Sequence, residues 1–174
     1  MKKFVCMRCG DCCCPKKEPN NIRYIPIYLD ELDIILQKAQ DYRTNMKIRP
    51  DLVYVDVLND RLIIATYEMI IKDKCEFYSD NIGCKIYDER PITCKAFPIM
   101  MWRPDGHRKY LFMNPKCTYI ARNSEVYNLG FSKLARFFHD EYRSAKRLMN
   151  KRSEMLNKIL QLESDKIIDI GFLR

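Results

Sequence analysis

From Leu29 to Arg43 the apolar residues Leu29, Leu32, Ile35, Leu36 and Ala39 recur at helical spacing, with acids early in the run and a base at its end. That periodicity and charge order predict a short amphipathic helix. The period then shortens. Leu52 to Leu58 and Arg61 to Thr66 are β-branched and aromatic runs on either side of Asn59-Asp60, the pattern of a hairpin. Phe97 to Trp102 and Lys109 to Met113 flank Arg103-Pro104-Asp105-Gly106-His107, which predicts a second hairpin with Pro and Gly supplying the turn. From Ser124 to Glu163 the pattern is helical, with a break expected near Gly130 and a restart capped by Ser132. Leu134, Phe137, Phe138, Tyr142, Ala145, Leu148 and Met149 make one apolar stripe on it, read as core.

Helix, hairpins and a long helical end predict an α+β fold. About 170 residues fit a single domain, with a core of about residues 4–120 and a C-terminal helical segment of about 124–174. No repeat, linker or low-complexity stretch divides it. The chain reaches Cys6 without an apolar leader, and no apolar run approaches the ~18 residues of a bilayer span. The expectation is a cytoplasmic protein without membrane contact.

The net charge is +8, and it is concentrated. Lys2, Lys3, Arg8, Lys16, Lys17 and Arg23 flank the first cysteines, while Lys133, Arg136, Arg143, Lys146, Arg147, Lys151, Arg152 and Lys158 crowd the C-terminal helix. A solvated helix face accounts for the latter, with an acidic protein or nucleic acid as the alternative occupant.

Cysteine changes this picture most. Nine occur in 174 residues: Cys6, Cys9, Cys12, Cys13 and Cys14 in one cluster, then Cys75, Cys84, Cys94 and Cys117. In a reducing compartment such density reads as metal ligation rather than as disulfides. Cys6-x-x-Cys9 is a chelating spacing for zinc and for iron–sulfur clusters alike, and Gly10 lets the chain turn after it. Adjacent Cys12 and Cys13 are expected to point apart and serve two neighbouring sites, each completed by distal thiolates. Four thiolates close one zinc site or one cubane, so eight fill two closed sites or one larger assembly. His107 and His139 read as ordinary surface residues. Cys14, directly before Pro15, stands outside the spacing and is expected to be an inert small hydrophobe.

Arg90-Pro91 predicts a local helix start with Asp88 or Glu89 at its positive end and Cys94 one turn in, where the dipole, Arg90 and Lys95 would lower the thiol's pKa. Arg90 is also a candidate to pair with a carboxylate or bond a cluster sulfur. Phe97, Ile99, Met100, Met101 and Trp102 would wall such a site from water.

Cys6-x-x-Cys9-Gly10-x-Cys12-Cys13, then Cys75, then Gly83-Cys84-Lys85-Ile86-Tyr87-Asp88-Glu89-Arg90-Pro91-Ile92-Thr93-Cys94-Lys95-Ala96-Phe97-Pro98 resembles the YkgJ-type cysteine-cluster family, a zinc- or iron-chelating domain. The resemblance spans Cys6 to Pro98, Cys117 matches the family's last cysteine, and Cys14 departs from its pattern. It implies that Cys6, Cys9, Cys12, Cys13, Cys75, Cys84, Cys94 and Cys117 are the metal ligands. Members of the family include iron–sulfur oxidoreductases, and similar motifs occur in flagellin lysine N-methylases. The leading expectation is an iron–sulfur protein, with a 4Fe-4S cluster and a redox partner protein. The alternatives are a structural Zn2+ protein and a protein-modifying enzyme, although no glycine-rich nucleotide loop is present.

Overall fold

The computed structural model describes residues 3–15, 22–103, 105 and 107–170. Lys2, Lys16 and Lys17 of the basic flank, and Pro104 and Gly106 of the second turn, lie outside the described residues. In chain order the elements are β1 (Ile22–Tyr28), α1 (Leu29–Asp41), β2 (Lys47–Pro50), β3 (Val53–Asp56), β4 (Arg61–Ile64), β5 (Thr66–Lys72), β6 (Tyr78–Ser79), β7 (Gly83–Cys84), α2 (Ile92–Ala96), β8 (Ile99–Trp102), β9 (Tyr110–Met113), α3 (Thr118–Arg122), α4 (Phe131–Phe137) and α5 (His139–Ser164). The fold is mixed α+β, with short antiparallel strands and one long C-terminal helix. No helix among the described residues is long and apolar enough to cross a membrane.

β1, β5 and β2 form an antiparallel sheet in that order, with Tyr28 opposite Thr66 and Arg49 opposite Glu68. The cross-strand Arg49–Glu68 pair closes at 2.6 Å. β3–β4 and β8–β9 are the two expected hairpins. Thr66 leaves the first of them and opens β5, and Phe97 precedes the second through a cis bond to Pro98.

The C-terminal segment is more broken than its periodicity suggested. Ser124–Asn128 is a 3-10 turn, Gly130 rather than Ser132 occupies the cap position of α4, and Phe138 interrupts the chain before α5. Ser132 sits inside the first turn of α4, where the Gly130 carbonyl already accepts the Lys133 and Leu134 amides at 3.0 Å.

Two apolar clusters result. One gathers Phe4 of the N-terminal segment with Ile99, Met101, Ile120, Phe137, Phe138, Ala145 and Leu148 from the β8–β9 hairpin and the α3–α5 region. The other gathers Ile25, Ile27, Ile35, Met69, Ile71, Phe77 and Ile86 between the sheet and α1. Cys117 belongs to the first and Cys75 to the second, so the distal cysteines reach the space between them from both sides.

Candidate metal centre

Phe4 anchors the cysteine-rich start of the chain. Its amide donates to the Phe137 carbonyl at 2.8 Å and its ring packs 4.7 Å from Phe138 and 5.1 Å from Tyr119. From that anchor the chain runs through Cys6 to Cys14, meeting β1 at Arg23 and the segment after β5 at Cys75. Arg8 and Gly10 both take left-handed backbone angles, with φ of 52° and 83°. A Cβ on Gly10 would lie 2.4 Å from the Tyr78 ring, and a Cβ on Gly83 would lie 2.8 Å from Arg8, so both glycines are needed for close approach as well as for backbone angle. The Cys13 amide turns back to the Gly10 carbonyl at 2.7 Å, and the Cys75 amide donates to the Cys13 carbonyl at 2.7 Å. From β1, the Arg23 guanidinium donates to the carbonyls of Cys12 and of Asp11.

This path brings eight thiols to one cavity of about 360 Å3. Its lining includes Cys6, Cys9, Cys12, Cys13, Cys75, Cys84, Cys94 and Cys117, and excludes Cys14, His107 and His139. Cys14 is half-buried rather than enclosed, and both histidines are exposed. Phe97, Ile99 and Met101 join the wall as expected, whereas Met100 borders the cavity from the exposed face of the hairpin and Trp102 turns to solvent at 60% exposure.

The eight thiols are unbridged and their fields overlap, with Cys84 influenced by both Cys12 and Cys6. Cys117 is influenced by Cys9 and Cys6, whereas Cys94 is influenced by Cys12, Cys75 and Cys84. Cys12 and Cys13 do not point apart as expected. Their sulfurs lie 3.7 Å from one another.

Backbone amides serve the sulfurs repeatedly. The Arg8 amide donates to the Cys6 sulfur at 3.4 Å, and the amides of Phe77, Ile86 and Tyr119, each two residues beyond a cysteine, act on Cys75, Cys84 and Cys117. A donor aimed at sulfur favours the thiolate. Burial opposes it and wins: the Cys75 thiol is pushed up to about 11, and Cys84 and Cys117 rise for the same reason. The hydrogen bond between the Cys12 and Cys13 thiols lowers Cys12 to about 7, with Arg90 and Arg23 helping, and raises the Cys13 pKa.

Cys94 departs from expectation. Burial and the neighbouring sulfurs raise its pKa, and Arg90 offsets only part of this. α2 is five residues long, so its dipole is small, and Pro91 precedes its first helical residue. Nor do Asp88 and Glu89 attend its start. Glu89 pairs with Lys38 at 2.9 Å, and the carboxylate at the α2 terminus is Glu31 of α1, accepting the Ile92 amide at 2.6 Å. Arg90 bonds the Tyr87 carbonyl at 2.7 Å and stacks 3.7 Å from the Tyr87 ring centroid, with Arg8 also over that ring at 4.6 Å. It influences the sulfurs through its charge. Arg23 stood in the basic flank and Tyr87 in the motif block, but the roles of Arg23, Tyr87 and Glu31 at the site carried no sequence signal, because the partners that define them are remote in the chain or belong to its backbone.

The donor set suits a soft metal. Among the described residues no group of three or more His, Cys, Asp or Glu side chains is already drawn together as an ion's ligands, so the thiols line a shared wall. Buried thiols that ionise reluctantly give up protons to a cation that replaces them.

Comparison with curated proteins and with solved structures finds no match. A family model, CxxCxxCC, described as "Putative zinc- or iron-chelating domain", matches residues 5–118 and so encloses all eight cavity cysteines. With well over half its length matched, this chain belongs to the CxxCxxCC family of zinc- or iron-chelating domains.

Proposed function

We propose that this metal-binding chain holds an iron–sulfur centre of the 4Fe-4S type and serves as an electron carrier or oxidoreductase in the reducing cytoplasm, with a redox partner protein. One observation carries the reading: eight thiols and no imidazole line one cavity with an apolar and aromatic wall. Sulfur-only donors suit iron–sulfur clusters and zinc and discriminate against hard cations. Cys6, Cys9, Cys12, Cys13, Cys75, Cys84, Cys94 and Cys117 are the ligands in this reading. A bound cluster would supply one-electron chemistry whose potential depends on hydrogen bonds, charge and solvent access. The Arg8 amide donates to the Cys6 sulfur, and the amides of Phe77, Ile86 and Tyr119 act on Cys75, Cys84 and Cys117. Arg23 and Arg90 bring positive charge to the cavity, and Phe97, Ile99 and Met101 exclude water from it.

A second reading, structural zinc, rests on the Cys12–Cys13 distance. Four sulfurs at ~2.3 Å from one zinc ion stand about 3.8 Å apart along each edge of their tetrahedron, close to the 3.7 Å found here.

Iron, zinc and acid-labile sulfide are to be measured, with a visible spectrum, on protein prepared without oxygen from cells supplied with both metals. Iron with matching sulfide and absorption near ~400 nm is the expected result. Colourless protein containing zinc alone would sink the redox reading and leave the sites structural.

A further inference from the structure

The β8–β9 hairpin is apolar on both faces. Ile99 and Met101 point into the core at 1% and 6% exposure. The alternate positions form two successive cross-strand pairs, Met100 opposite Phe112 and Trp102 opposite Tyr110. These four side chains are 49%, 44%, 60% and 40% exposed, in that order. A hairpin with one face in water ordinarily alternates apolar with polar, and here none of the four outward positions is polar. The Phe112 ring centroid lies 6.5 Å from Trp102 and 6.3 Å from Tyr110, the latter pair inclined by 23°. Three aromatic rings therefore stand side by side on an open surface, the kind of patch that marks an interaction site.

Cations frame it. Arg103, Arg108 and Lys109 lie in and beside the connecting turn, all exposed. The acid described there, Asp105, is engaged within the turn: one oxygen accepts the His107 and Arg108 amides at 2.9 and 2.7 Å, which hold its pKa below the usual carboxylate range, and the other stands 4.0 Å from Arg108 Nε, whose side chain stays 79% exposed. The rings and cations together match a polyanion that carries a flat apolar group at each step. An acidic peptide would meet the cations and leave the ring faces without partners, and a duplex keeps its base faces within its own stack.

The geometry points to a binding platform for single-stranded nucleic acid, whose bases stack on Trp102, Tyr110 and Phe112 while its phosphates meet Arg103, Arg108 and Lys109. The platform is independent of which metal the cysteines hold. It also differs in place from the basic C-terminal helix, where Lys151 is engaged by Asp30 at 2.6 Å and Arg152 reaches the Tyr28 hydroxyl at 3.3 Å.

The chain contains a single tryptophan, so its fluorescence reports on this face alone. The full chain, metal retained, is titrated with a short oligothymidylate, following Trp102 emission together with the anisotropy of a label on the oligonucleotide. The expected result is saturable quenching that weakens steeply with added salt. Tyr110→Ala and Phe112→Ala, which leave Trp102 in place, should each weaken binding at least about five-fold. Their circular dichroism and metal content should match the parent. Arg108→Ala with Lys109→Ala should weaken binding and flatten the salt dependence.

Several results would overturn the platform. Binding without any change in Trp102 emission would place the strand elsewhere, as on α5. Equal affinity for polyglutamate would make the face a site for acidic protein. A blue shift with anionic vesicles and no response to the oligonucleotide would make it a membrane-contact face. Absence of binding, or variants that fold and bind as the parent does, would also end the proposal.

Discussion

At the scale of single residues, the cavity separates Cys14 from its eight companions. The Cys13 carbonyl is held by the Cys75 amide, which fixes Cys12 and Cys13 against the cavity, while Cys14 does not line it and reaches Cys75 through its field. Cys94, in contrast, lines the cavity from the middle of α2, under the charge of Arg90. Serine keeps the size of cysteine but is a poor soft-metal donor. Cys14→Ser is therefore expected to retain the parent's full metal content and melting temperature. Cys94→Ser should lose at least one metal equivalent, or one cluster, per chain. Metal analysis of the two variants beside the parent checks this, and equal retention by both would remove Cys94 from the ligand set.

At the scale of elements, the β3–β4 hairpin shows what a turn is made of. The Asp56 side chain is fully enclosed. It accepts the Leu58 amide at 3.2 Å, the Asn59 amide at 3.1 Å and Arg61 Nε at 2.8 Å, with the Asn59 side-chain amide bridging both its oxygens. Beside it the Val57 amide donates to the Ile167 carbonyl at 2.9 Å, tying the hairpin to the chain end after α5. The Asn59 and Arg61 bonds hold the Asp56 pKa below its ordinary value. A folded pKa below the unfolded one means that the stabilisation is complete above about pH 4 and is lost as pH falls through the folded value. Asp56→Asn would turn a donor towards donors at every pH. Thermal melts from pH 7 to pH 3 should show the variant several degrees lower at neutrality, with the gap narrowing in acid. A gap independent of pH would deny Asp56 its charged role. Asn59 and Asp60 announced this hairpin in the sequence, and α1 and the β8–β9 hairpin were equally legible because each obeys a local period. The β1–β5–β2 sheet was not legible. Pro26 sits in β1, where only an edge strand tolerates a missing donor, β2 is short and polar, and β5 is buried along much of both faces and lacks alternation. The cavity lining was legible as a set of residue types, because thiols at chelating spacing have few other uses. Its supports, Glu31 under the Ile92 amide and Arg23 on the Cys12 carbonyl, depend on contacts that no local pattern encodes.

At the scale of the whole molecule, the cavity lies where the two apolar clusters meet. Cys6 and Cys117 belong to or pack against the cluster of α3, α4 and α5, and Cys13, Cys75, Cys84 and Cys94 to that of the sheet and α1. A metal held by thiolates from both sides therefore joins two small cores, neither of which is large. Binding to the folded chain alone adds stability by mass action, about 2.7 kcal/mol at a free metal concentration of a hundred times Kd. For a chain of this length that corresponds to roughly 5–10 °C in melting temperature. Removing metal with a chelator under reductant is expected to lower the melting temperature by at least that much, with recovery on adding metal back. The recovery should depend on pH in a definite direction. Cys75, Cys84, Cys94 and Cys117 all have raised pKa values, chiefly through burial, so each must release a proton to the solvent when metal binds and affinity must fall as pH falls. Metal titrations at pH 6 and pH 8 measure this. A melting temperature indifferent to chelator, or an affinity indifferent to pH, would show that the thiols do not join the two cores through a bound metal.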